Sequence, residues 1–110
     1  MDASAVVIGA SGGIGAAIEA ALLEEGAFHT VHGFARSRSG AQHLDLLDEG
    51  SIAAAAAHVG RGPAPTLVIV ATGLLHSGSS GPEKALRDLD PDWLAQVYAV
   101  NAIGPALVAK

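Results

Sequence analysis

The stretch Gly9-Ala10-Ser11-Gly12-Gly13-Ile14-Gly15 constrains this chain more than any other. A short apolar run, Ala5-Val6-Val7-Ile8, precedes it, and apolar residues at helical spacing, Ile14, Ile18 and Leu22, follow it. A glycine cluster between a strand and a helix lets the backbone turn sharply and come close to a pyrophosphate. The helix then presents its unpaired N–H groups and the positive end of its dipole to the phosphate charge. A turn that binds a nucleotide is the expectation.

Composition agrees. Half of the 110 residues are apolar but only 4% are aromatic, which suits helices packed on a sheet better than an all-β sandwich. A chain of this length is one domain or part of one. Six basic against eleven acidic side chains leave a formal charge of −5, with no basic run, which argues against a nucleic-acid partner. Cysteine is absent, so disulfides and thiolate metal sites are excluded. Met1-Asp2-Ala3-Ser4 lacks the basic segment of a signal peptide, and no apolar run approaches the ~18 residues of a membrane span. The expected location is the cytoplasm, with no membrane partner.

In chain order, a strand over Ala5 to Gly9 is followed by a helix from about Gly13 to Glu25, stopped by Gly26. Phe28 to Arg36 reads as a second strand, Ser37 to Gly40 as a turn, and Gln42 to Leu46 as a short strand. Asp48 is placed to cap a helix through Ile52 and the alanine run to Val59, closed by Gly60. Thr66 to Thr72 is apolar almost throughout and reads as a central strand covered on both faces. A glycine- and serine-rich loop, Gly73 to Gly81, comes next. Asp90-Pro91-Asp92 then opens a long helix. The alternation of strand and helix gives an α/β fold of Rossmann type, a doubly wound parallel sheet. It is incomplete here, with the first four strands and their helices.

Two features refine the function. No acid follows the second strand, where a carboxylate would bond the ribose 2′-hydroxyl of NAD. Arg36 stands there instead, suited to a 2′-phosphate, with Ser37 beside it and Arg38 near enough to assist. In the last helix, Pro105 has no N–H and crowds the carbonyl four residues back, that of Asn101. A kink is expected there, turning that carbonyl towards a water or ligand. The five histidines show no ligand spacing, so no metal is expected; Trp93 and Tyr98 read as packing residues.

The spacing Gly9-x-x-x-Gly13-x-Gly15 resembles the T-G-x-x-x-G-x-G motif of the short-chain dehydrogenase/reductase family, with Ile8 replacing the threonine. Ala10, Ser11 and Ile14 are similar to that family's usual residues, and Val100-Asn101-Ala102-Ile103-Gly104 resembles its V-N-x-x-G segment. The resemblance implies cofactor contacts from Gly9, Ser11, Gly13, Ile14, Gly15, Arg36, Ser37, Asp45, Leu46, Ala71, Thr72 and Gly73. Asp45 would cap the adenine amino group or else serve only its own turn. Ala71-Thr72-Gly73 falls where the family has Asn-Ala-Gly. Asn101 would be the active-site asparagine whose carbonyl holds a water in a proton relay.

The implied activity is hydride transfer between NADP(H), favoured over NAD(H), and a small-molecule carbonyl or alcohol. The family's catalytic Tyr-x-x-x-Lys is missing from this stretch, since the only tyrosine, Tyr98, has Ala102 four residues on. The chain therefore reads as the cofactor-binding half, with the catalytic half absent. The alternative is a non-catalytic NADP(H)-binding, sensing or assembly module. An incomplete sheet would leave Thr66 to Thr72 at an open edge, inviting a completing chain or a homo-oligomer.

Overall fold

The computed structural model describes residues 2–73, 87 and 89–110, in two units divided between Thr72 and Gly73. The first unit is built on β1 (Ser4–Ile8), α1 (Gly13–Glu25), β2 (Thr30–Phe34), α2 (Glu49–Val59) and β3 (Pro65–Val70). The strands form one parallel sheet in the order β2-β1-β3. Every residue of β1 is buried, as its unbroken apolar run requires of a strand covered on both faces. Burying side chains such as Val7 and Ile8 stabilises the sheet by about 1.5–3 kcal/mol each. Ser4, also buried, satisfies its hydroxyl by donating to the Pro63 carbonyl at 2.9 Å. Ile8 pairs with both Phe34 and Val70, so the three strands end level and their C-terminal loops gather along one margin. That margin is where open α/β sheets bind ligands.

Local signals set the helix ends. Gly26 closes α1 in the left-handed region (φ 71°), its N–H donating to the Leu22 carbonyl at 3.3 Å. Asp48 opens α2 by accepting from the Gly50 N–H at 3.0 Å.

The structure corrects four expectations. The sheet has three strands among the described residues, not four. Residues 42–46 form no strand: Gly40–Gln42 is one 3₁₀ turn, and a lone bridge joins Ala35 to His43. Leu44 and Leu46 are buried nonetheless, so the apolar alternation there reflects two side chains sunk into the core without a ladder. The second strand is shorter than residues 28–36. The 66–72 run is not covered on both faces. It supplies β3 at the edge of the described sheet, where an incomplete sheet was expected to leave it, with residues half-buried or exposed. Strand β1 lies between its two neighbours.

The second unit holds α3 (Pro91–Tyr98), a π-helical turn (Ala99–Ile103) and α4 (Gly104–Ala109). Asp90 caps α3 by accepting from the Trp93 N–H at 3.2 Å, with Pro91 in the first turn and Asp92 beside it. The helix does not break ahead of Pro105. The backbone stays helical through Ile103 (φ −68°, ψ −45°), and the Gly104 N–H reaches five residues back, to the Ala99 carbonyl. A widened turn relieves the clash a proline ring makes with the preceding turn. Trp93 is buried, whereas Tyr98 is 63% exposed and is not a packing residue. Apart from Gly73, the 73–81 loop, with His76 and its serines, lies outside the described residues.

Candidate cofactor site

The glycine turn is held from both sides of the sheet. The N–H groups of Gly9 and Ala10 both donate to the Phe34 carbonyl at the end of β2, at 2.8 and 3.0 Å. On the other side, the Ala71 N–H donates to the Ile8 carbonyl at 2.8 Å. Gly9 has φ 90°, and a Cβ there would lie 2.9 Å from both the Ala71 carbonyl oxygen and the Thr72 Cγ2. A Cβ at Gly15 would overlap the Gly9 carbonyl. These two glycines are demanded by the chain itself. Gly13 is different, because among the described residues a Cβ there would meet nothing within 4 Å beyond its own neighbours and helix backbone.

The entry to α1 is bare. Gly12 caps it with no side-chain hydrogen bond, and its first turn holds no acid. Ile14 is 75% exposed, so the first of the three spaced apolar residues faces outward while Ile18 and Leu22 are half-buried. Exposed N–H groups, space over Gly13 and the absence of a carboxylate fit a pyrophosphate.

Next to the turn, the Ser37 hydroxyl donates to the Ser11 hydroxyl at 2.9 Å, tying the loop after β2 to the glycine turn. Arg36 is exposed and its guanidinium makes no ion pair among the described residues. Arg38, expected to assist it, is engaged elsewhere. Its Nη1 donates to Glu19 Oε2 (3.1 Å) and to the Gly33 carbonyl (2.9 Å), and its Nη2 donates to Glu19 Oε1 (2.9 Å). The hydrogen bonds, more than the bare charge, hold the Glu19 carboxyl below its ordinary pKa and raise that of Arg38, against the opposing effect of burial.

Asp45 Oδ1 accepts from the Leu47 N–H at 2.9 Å, a turn contact that leaves Oδ2 unengaged among the described residues. Leu46 is buried. Ser51, which sequence reasoning passed over, organises this loop. Its hydroxyl accepts from the Asp45 N–H at 2.9 Å and lies 2.9 and 2.7 Å from the Asp45 and Asp48 carbonyls. The Asp48-x-x-Ser51 spacing at a helix start was the available signal. Glu19 and Gly33 were also passed over; a glycine inside a strand signals close approach by another group.

On the opposite strand face, His32 stacks on Phe34 and meets the His58 ring edge-on at 5.5 Å. Burial, then the neighbouring His58, push the His32 imidazole below its ordinary pKa. In the second unit, a Cβ at Gly73 would lie 3.9 Å from Asn101 Oδ1, so these two predicted site residues come together there.

A strand, a bare glycine turn and a helix with an open N-terminus, ending level with two parallel neighbours, define a dinucleotide-binding fold. The chain belongs to the NAD dependent epimerase/dehydratase family, whose model matches residues 5–103. No curated protein matches it. Solved structures do. It is similar to the aldohexose dehydrogenase of Thermoplasma acidophilum, with 18% identity and a TM-score of 0.72 over 98% of this chain and 42% of that one. It is also similar to an NADPH-bound carbonyl reductase from chicken fatty liver, with 23% identity and a TM-score of 0.69 over 96% and 45%. A carbonyl reductase of Pseudomonas aeruginosa matches at 23% identity and a TM-score of 0.73 over 99% and 54%. The chain thus spans about half the length of these structures. They share its fold, and the short-chain resemblance read from the glycine spacing holds at that level.

Proposed function

We propose that this chain is the NADP(H)-binding half of a short-chain oxidoreductase acting on a small carbonyl or alcohol. The observation that carries the cofactor preference is Arg36, exposed at the C-terminal end of β2 beside Ser37 and Ser11, with no carboxylate at that strand end. A guanidinium pairs with a 2′-phosphate in bidentate geometry, and a carboxylate at the same place would repel it. Gly9, Gly13 and Gly15 shape the turn for the pyrophosphate, with Ile14 exposed above it. Asp45, whose Oδ2 has no partner among the described residues, is assigned to the adenine amino group, together with its neighbour Leu46. Ala71, Thr72 and Gly73, directly after β3, complete the set of cofactor contacts. Asn101 is assigned the water-holding role in proton transfer. When bound, the nicotinamide supplies a hydride donor or acceptor; these residues bind and orient it.

The test is direct binding to the purified chain. NADPH fluorescence should give tighter binding than NADH, and Arg36→Asp should invert the order. An unchanged order in the variant would remove Arg36 as the reader of the phosphate.

A second reading, an NADP(H)-binding module without chemistry of its own, draws on Tyr98. That tyrosine is exposed but has Ala102, not lysine, four residues on. Hydride transfer from NADPH to any carbonyl by the purified chain would exclude it. We place the protein in the cytoplasm, and the open edge of β3 is where a completing chain or second copy would pair.

A further inference from the structure

We infer that Arg38 is a positioning residue, clamped by Glu19 and the Gly33 carbonyl so that the loop after β2 presents Arg36 and Ser37 in one fixed arrangement. This rests on the reading of Arg36 as the phosphate contact and deepens it.

Two arginines lie two residues apart and have opposite fates. The Arg38 guanidinium donates to both oxygens of Glu19 and to a backbone carbonyl, in a pair whose side chains are only 27% and 19% exposed. Planar bidentate pairing of this kind fixes geometry as well as charge, which a lysine cannot reproduce. The clamp spans three elements: Glu19 lies on α1, Gly33 in β2 and Arg38 in the loop. Gly33 is part of the device, since a Cβ there would collide with the Glu19 carboxylate and lie 2.5 Å from Arg38 Nη1.

Around the clamp, the loop is stitched to itself and to the turn. The Arg38 N–H donates to the Ala35 carbonyl at 3.2 Å, and His43 Nδ1 lies 3.2 and 3.1 Å from the Arg36 and Arg38 carbonyls. The Ser37 hydroxyl reaches Ser11 in the glycine turn. Arg36 is therefore held by its backbone while its side chain stays in solvent. A ligand finds the cation already aimed and need not order the loop, and such preorganisation raises affinity without adding a contact.

The experiment compares Arg38→Lys with the unaltered 110-residue chain. The lysine keeps the charge and removes the fork. The NADPH affinity should fall roughly fivefold, the scale of one coupled side-chain pair, while NADH affinity changes less than about twofold. A loss of stability alone would lower both equally and leave their ratio unmoved, and that outcome overturns the inference. So would a rise in NADPH affinity for Glu19→Gln, because Arg38 would then be acting as a phosphate ligand held in reserve.

A second measurement is independent of cofactor. Amide hydrogen exchange over residues 34–40 should quicken in ligand-free Arg38→Lys, with exchange in β1 unchanged. Unchanged exchange over 34–40 overturns the clamp even if the unaltered chain prefers NADPH. If the unaltered chain binds neither dinucleotide while exchange does quicken, the clamp stands as a loop anchor and the cofactor reading fails.

Discussion

The entrances of α1, α2 and α3 differ in how their first turns are capped. Helices α2 and α3 each begin with an aspartate cap, Asp48 or Asp90, whose carboxylate takes a backbone N–H, and each carries a further acid, Glu49 or Asp92, in its first turn. Helix α1 begins with Gly12, no side-chain cap and no acid. Helices α2 and α3 meet their own positive ends with carboxylates; among the described residues the first turn of α1 has none. In the proposed reading, the phosphates of a dinucleotide meet that end, in keeping with the space over Gly13.

The contrast can be broken from either side, and the largest effect is expected at Gly15. Gly15→Ala forces a methyl group into the Gly9 carbonyl and should cost roughly 3 kcal/mol, read as a shift in the urea midpoint, together with loss of NADPH binding. A midpoint close to that of the unaltered chain would mean that the turn tolerates displacement.

Gly12→Asp tests the comparison itself by giving α1 the kind of cap that α2 and α3 have. Gly12 sits at φ −77°, ψ 167°, open to any residue, and its Cβ would make ordinary contact with the Gly9 carbonyl at 3.5 Å. The helix should gain about 0.5 kcal/mol from the cap, while NADPH affinity drops roughly tenfold through repulsion. Stability and binding would move in opposite directions. If both rise, the α1 entrance does not receive phosphate.

The converse substitution, Asp48→Ala, should cost about 1 kcal/mol of stability with the NADPH affinity unchanged. A loss of binding equal to that of Gly12→Asp would erase the distinction between the two kinds of entrance.

The smallest effect lies at the far end of α2, where His58 meets His32. Because the folded His32 has a lowered pKa, the unfolded chain takes up the proton first. Stability from this site is complete above the ordinary value of 6.5 and declines as the pH falls below it towards the folded value. Urea midpoints at pH 7.5, 6.5 and 5.5 should fall less steeply for His32→Phe than for the unaltered chain. Equal slopes would assign the acid sensitivity to another group.

The parts legible in the sequence were those set by local chemistry. Residues 13–25 as a helix closed by Gly26, Asp48 as a cap and Asp90-Pro91 as a helix start each depend on a few adjacent residues, and each is found where expected. What the sequence hid depends on partners far along the chain. The reason for a glycine at position 33 lies with Arg38 and Glu19, whose side chains occupy the space a Cβ there would take. The 66–72 run has the apolar character of a central strand, but rank within a sheet is set by which neighbours pair, and here β1 pairs on both sides. Residues 42–46 alternate as a strand does, but their pairing stops at a single bridge to Ala35, and other backbone groups among them bond within turns or to the Ser51 hydroxyl. For the cofactor site, the glycines and Arg36 were readable because residue type alone suggests their chemistry. Ser51 was not, because a serine's role depends on which backbone groups come within its reach.

The π-helical turn has a consequence for chain length. Its hydrogen bond reaches from Gly104 back to Ala99, one residue further than in a regular helix, so the stretch 99–103 holds one surplus residue. Deleting one of those five would remove the surplus and restore a regular spiral, with the residues after it facing nearly as before, because the wide turn already absorbs the extra residue. Point changes there leave the count intact and the later residues facing as before. In this short segment, a frame-preserving deletion of one codon should be tolerated better than the same deletion in the regular turns of α3, where it would rotate the later residues by about 100°.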